Sequence, residues 1–270
     1  ERGNRNISVS ETLTANRTFG SDVQLFFATG ATWTVASGVT ITANVAAIHA
    51  HPRQQIFSLQ GTGIVILGQS LIKTLHPGWW GAVYDNSTDD ATAINAAIAS
   101  VGNTSGTIRA GKEVYIAGPA AIGATVLVER KSTIITGGGY PQNSSPRGSW
   151  LRWIGAANTA MVEFRNIHGG AGIKNIRIMG GANAADAIVV TQDVVGFSAQ
   201  RVHIQEVHIG NLAGDTTPVN LLRRGITFTG SSSGNHDAHY IENVKIDGPT
   251  AECVRIDSTQ NVNITIQNSI

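Results

Sequence analysis

The sequence predicts an all-β solenoid, a coil of short strands stacked rung upon rung, and three observations predict it. The first is composition. Apolar residues make up 41% of the 270 residues, charged residues only 14%, and there are 31 glycines. Ile, Val and Thr are abundant and Leu is sparse, a mix that favours strands and turns over helices. The second is a series of short alternating runs closed by glycine. The third is a repeated shape of polar, polar, apolar, polar, apolar residues from position 174 onward. It occurs at 174–178, 200–204, 242–246 and 260–264, and each copy ends on an isoleucine: Ile178, Ile204, Ile246 and Ile264. The interval between copies varies, and the middle one is the longest. A repeat of about 18–26 residues, with at least two strands in each, is what stacked coils require.

In chain order, residues 1–20 are polar and read as a connector leading into a first strand. Strand-like runs follow at 23–27, 32–35, 39–42, 56–59 and 64–67, broken by Gly30, Gly38, Gly61, Gly63 and Gly68. The runs recur at about 7–10 residues, a spacing that suits the tight corners of a small β-solenoid or a sandwich. One stretch reads as a helix. Ile94, Ala97, Ile98 and Val101 share a face, and Thr88, or Ser87 with Asp90, provides an N-cap. Asp89 and Asp90 sit at the positive end of the dipole, and Gly102 with Asn103 provides the stop. The helix is expected to close one end of the stack. Strands return at 107–110, 113–116, 126–128 and 133–136, and later at 187–190, 225–228 and 253–256. Asn175, Asn243 and Asn261, at the second position of the repeat, are suited to left-handed corners that stack on one another. The longest interval implies one rung with an insertion.

Several function classes are excluded or disfavoured. A net charge of +1 gives no argument for nucleic acid or an anionic membrane. No apolar run approaches the length of a membrane span. A single cysteine, Cys253, rules out an intrachain disulfide and reads as a small buried hydrophobe in an alternating strand. His49, His51 and His76 lack nearby carboxylates, so no metal site is expected. Gly137-Gly138-Gly139 lacks the lysine and helix of a phosphate loop. There is no visible signal peptide, the chain opens on Glu1 without a methionine, and it closes in a strand pattern. These features suggest a piece of a longer polypeptide.

The helical stretch carries a family resemblance. Trp79, Gly81, Ala82, Asp85, Thr88, Asp89, Asp90, Ala93, Ile94, Ala97 and Ile98 match the pattern W-F-G-A-K-G-D-G-x-T-D-D-T-x-A-I-x-x-A-I. The stretch resembles the opening motif of the pectate-lyase-like single-stranded right-handed β-helix superfamily. Val83, Tyr84 and Asn86 depart from it. Residues 106–116 resemble the family's following rung, and residues 137–140 its next turn. The resemblance implies a right-handed parallel β-helix whose helix caps the N-terminal mouth, with Asp89 and Asp90 as structural residues. It divides the chain into a β-rich neck, 1–75, and a β-helix domain, 76–270, that is incomplete at its C-terminus. Family members include polygalacturonases, lyases, epimerases and phage tailspikes.

Chemistry is expected in insertions, because a solenoid keeps its core constant and varies its loops. Exposed aromatics with arginines suit a saccharide. Trp150, Arg152, Trp153, Arg223, His239 and Tyr240 are therefore the substrate-binding candidates. Glu206, Asp215, His236 and Asp237 are the catalytic candidates, as the densest titratable cluster by sequence. Glu206 and His208 alternate with Val207 and Ile209 and are expected to share the outer face, with His203 out of phase. The N-T-D, D-D and G-H-G signatures of polygalacturonases are absent, as is any Asp-rich calcium cluster, and no cofactor is expected. The leading expectation is a tailspike or fibre subunit located in a virion tail or outside the cell. It binds, and in an enzymatic form depolymerises, host surface polysaccharide. The resemblance also implies a homotrimer and other virion tail proteins as partners. The alternatives are a secreted lyase or glycoside hydrolase, and a fibre without turnover.

Overall fold

The computed structural model describes residues 3–102, 111–129, 132–139, 148–167, 169–181, 185–193, 198–210, 222–230, 235–257 and 261–270. Every strand pairing among them is parallel, which excludes an antiparallel sandwich. Up to Ile66 the chain visits three sheets in turn. The first joins Gly3–Ile7, Val23–Phe27 and Ala47–His49, and the second Glu11–Leu13, Trp33–Val35 and Phe57–Leu59. The third joins Arg17–Phe19, Thr40–Ala43 and Ile64–Ile66. Glu11 pairs with Trp33 and Trp33 with Phe57, so the chain returns to each sheet once per rung. Beyond Thr74 the pattern continues in one sheet of 11 strands and one of five.

The polar opening stretch is not a connector but a rung of this stack. Its strand alternation is hidden because inward positions carry charge. Arg5 pairs with Leu25, Glu11 with Trp33 and Arg17 with Ile41, and those three partners are fully buried. Glu11 bonds Arg5 at 3.5 Å and Arg17 at 3.3 Å, and the Arg5 guanidinium lies over the rings of Phe19 and Trp33. These side chains lie over the end of the apolar column that follows.

A second apolar column holds the larger sheet together. Leu75, Val114, Ile135, Ile173, Ile204, Ile241 and Ile266 fall in register, one per rung. All but the last are 0–2% exposed. Full burial of each such side chain is worth about 1.5–3 kcal/mol. Ile266, on the last described rung, is 49% exposed. Cys253, expected to be buried, is exposed, because its neighbour Val254 takes the inward place under Ile226.

The helix spans Ala91–Ala99, and its neighbours correct the expected cap. Neither Thr88 nor Ser87 starts it. Asp90 is the N-cap residue, yet its carboxylate turns away to accept the amides of Val83 (2.7 Å) and Tyr84 (3.1 Å). Asp85 accepts the amides of Ser87 and Thr88 and the Thr88 hydroxyl. Asp89 accepts the amides of Ala91 and Gly123, both at 2.9 Å. Strands lie on both sides of the helix, so it is spliced into the stack rather than closing its end. Below it, the Leu67 amide donates to the Ser100 carbonyl. On the opposite side, Asn95 accepts from the Leu127 amide and donates to the Thr125 carbonyl. A helix this short is not stable in isolation, and these flanking bonds hold it. A second tie is Lys112, buried, whose Nζ donates to the carbonyl and hydroxyl oxygens of Ser70 at 2.7 and 3.2 Å.

Candidate functional site

Left-handed backbone positions set where each strand of the large sheet starts and turns. Asn175, Glu206, Asn243 and Asn268 all have φ between 48° and 54°, and the strand registers place them one above another. A second ladder, Gly170, Arg201, Ala238 and Asn263, has φ between 55° and 95° at the other end of the same strands. Asn175 and Asn243 thus occupy corners as expected, whereas the last described rung uses Asn263 and Asn268 and not Asn261. The two ladders keep step with each other, although the length of chain between their members changes from rung to rung. The repeat at 200–204 therefore belongs to a different corner from the one at 174–178.

Between these ladders the outward side chains form two columns. One runs Glu113, Ile134, Gly172, His203, Tyr240, Thr265, and the other Tyr115, Thr136, Lys174, Gln205, Glu242, Gln267. Gly172 interrupts the first column. A Cβ there would meet the His203 carbonyl oxygen at 2.3 Å, so the position stays bare. The gap between Ile134 and His203 opens into a groove of about 290 Å³, lined also by Ser132, Lys174 and Gln205. Lys174 bonds Glu113 at 2.8 Å, and Gln205 donates to Glu242 at 3.2 Å. The His203 and Tyr240 rings lie 4.9 Å apart. Partial burial, helped by the nearby Arg201 charge, lowers the His203 pKa. Tyr240 is 45% exposed. The face thus offers an aromatic edge, an imidazole, an amide and a lysine–carboxylate pair on a rigid sheet, a set that can hydrogen-bond hydroxyls and pack against C–H surfaces.

The candidates named from sequence disperse. Tyr240 lies on this face, and Glu206 is exposed at its corner. Glu206 does not share a face with His208. Glu206 stands exposed on the left-handed corner itself, whereas His208 lies past the corner in a buried place. His208 is buried against Asp247 at 2.7 Å, where burial lowers its pKa despite the carboxylate. His239 points into the core, fully buried, with Nδ1 accepting the Val202 amide and the ring 5.1 Å from Phe228. It does not reach a surface ligand.

Trp150 and Trp153 are also interior, at 6% and 1% exposure. Their indole N–H groups donate to the Asn86 side chain and the Ala156 carbonyl. Neither ring presents a face to a sugar. Arg152 donates to the Asn86 carbonyl at 2.6 Å. Arg223 lies on the five-stranded sheet in a two-point bond to Asp186 at 2.8 and 2.6 Å. Asp215 lies outside the described residues, as do the side chains of His236 and Asp237.

Gly172, Lys174, His203 and Gln205 were missed. Three of them stand at or beside polar places of the repeat, but the register that aligns them is fixed by corners whose spacing varies. Among the described residues no cluster of three or more His, Cys, Asp or Glu is placed to hold a metal, and no helix is long and apolar enough to cross a membrane.

No protein-family model and no curated protein matches the chain. Among solved structures it is similar to one described as "Geobacillus virus E2 - ORF18", a phage protein, at 19% identity and a TM-score of 0.43. The similarity covers 73% of this chain and 41% of that one, so the chain spans about two fifths of its length. A likeness of that degree assigns neither fold nor function.

Proposed function

We propose that the chain is a right-handed parallel β-helix of the tailspike or tail-fibre kind, and that it binds host surface polysaccharide in the groove between Ile134 and His203. The neck of residues 1–75 and the β-helix of residues 76–270 form one subunit of a homotrimer. The subunit works in a virion tail or otherwise outside the cell, beside other tail proteins. The observation that supports this most is the groove itself. Gly172 leaves an opening on the outer face, His203, Gln205 and Lys174 line it, and the Tyr240 ring packs against His203 one rung further on. Parallel pairing throughout the described residues and the helix motif support the architecture.

The test is binding of the chain to an array of purified acidic and neutral bacterial polysaccharides, with a reducing-end assay on every polymer bound. Binding by the wild-type chain, weakened about tenfold in His203→Ala and Tyr240→Ala, is the expected result. Equal binding by both variants would remove the groove from the proposal. Light scattering reads the oligomeric state, and a monomer at micromolar concentration overturns the trimer.

A further inference from the structure

The extended segment 202–205, within the strand Val202–Ile209, is bounded at both ends by a charged residue in left-handed conformation, Arg201 (φ 56°) and Glu206 (φ 51°). On neighbouring rungs the same two ladders carry Gly, Ala and Asn. Glycine meets no steric cost there, and Asn tolerates the conformation through local hydrogen bonding, whereas long side chains gain neither advantage. Both Arg201 and Glu206 are exposed, and among the described residues neither side chain makes a hydrogen bond or ion pair that would repay the strain. The rung that bears them also bears His203 and Gln205 in the groove. Unfavourable backbone conformations that local contacts do not explain collect at functional sites.

Resting on the groove reading above, we propose that Arg201 and Glu206 are its specificity-determining residues and fix the direction in which a glycan lies along this rung. The extended strand between the two corners spans about 16 Å, room for several sugar rings. The guanidinium takes acceptors in a two-point bond, above all an acidic substituent. The carboxylate takes paired hydroxyl or amino donors. The site therefore selects a glycan with an acidic group toward the Arg201 corner and donors toward the Glu206 corner. The residues between them, His203 and Gln205, contact the intervening rings.

Arg201→Asn and Glu206→Asn test this without threatening the fold, because Asn suits each conformation better. Each variant should raise the Tm by about 2 °C. Each should weaken binding to the polymers that the wild-type chain captures, from an array of alginate, hyaluronan, polysialic acid, dextran and mannan, by about tenfold. Arg201→Asn should also erase any preference for the acidic polymers. A rise in Tm with binding unchanged would make both residues mere occupants of their corners, and a fall in Tm would overturn the strain argument. If only His203→Ala loses binding, the groove stands and this inference falls. If the wild-type chain captures none of the polymers, both fall together.

Discussion

Arg5 and Glu11 meet at 3.5 Å across the end of the first rung, each from an inward position that other rungs fill with apolar side chains. Together with Arg17 they put charge at inward positions of this rung, and apolar replacements there would leave a sticky surface on this chain. Replacing Arg5, Glu11 and Arg17 together by Leu is expected to produce concentration-dependent association, read by sedimentation velocity. Glu11→Ala alone is expected to cost no more than about 1 kcal/mol, because the pairs are partly exposed and screened. A triple variant that stays at the wild-type oligomeric state would contradict a role for these charges in keeping copies apart.

Asp90 gives a larger and sharper effect. Its two oxygens satisfy the amides of Val83 and Tyr84 in a place where it is 1% exposed. Asp90→Ala strands both donors and is expected to cost about 2–4 kcal/mol in urea denaturation. Asp90→Asn, which keeps one acceptor, is expected to cost less. Burial raises the Asp90 pKa above the usual carboxylate range despite these bonds. A raised carboxylate pKa means the folded state holds the proton more tightly, so this group's contribution becomes more favourable as pH falls through the raised value toward the unfolded one.

The column that runs from Leu75 to Ile266 predicts a gradient. Ile204→Ala, at a site 1% exposed, is expected to cost about 2–5 kcal/mol through lost transfer energy and a cavity. Ile266→Ala, at 49% exposure in the same column, is expected to cost under about 1 kcal/mol. Equal losses at both positions would show that the last rung is covered in solution.

Lys112 predicts a pH dependence of defined sign. Burial lowers its pKa, and among the described residues its Nζ bonds the oxygens of Ser70 rather than a carboxylate. Between the lowered folded value and the ordinary lysine value the unfolded chain binds more protons, so stability gained from this group rises with pH across that window. Measured against Lys112→Met, the wild-type chain should gain stability as pH climbs toward the ordinary lysine value. A constant difference between the two proteins would argue that Lys112 reaches water.

Strands were legible in the sequence wherever inward positions are apolar. Val23–Phe27 agrees residue for residue with its run, and Ile64–Ile66 lies within the run at 64–67. The rung over residues 3–19 was obscured because Arg5, Glu11 and Arg17 stand where hydrophobes mark a strand. Trp150 and Trp153 misled, since an indole reads the same whether a sugar or a core will cover it. His239 misled likewise, since an imidazole in a polar stretch carries no local sign that it will turn into the core, as it does after the left-handed Ala238.

Residue type alone determined the short-strand alphabet, the helix, and the asparagine corners at 175 and 243, because alternation and left-handed tolerance are local properties. Only the tertiary structure decided which residues share a face. Successive returns of the chain differ in length, so the alignment of Gly172, His203 and Tyr240 depends on where each loop rejoins the stack. That choice is made by interior packing of Ile173, Ile204 and Ile241, and the outer face inherits its register from the core.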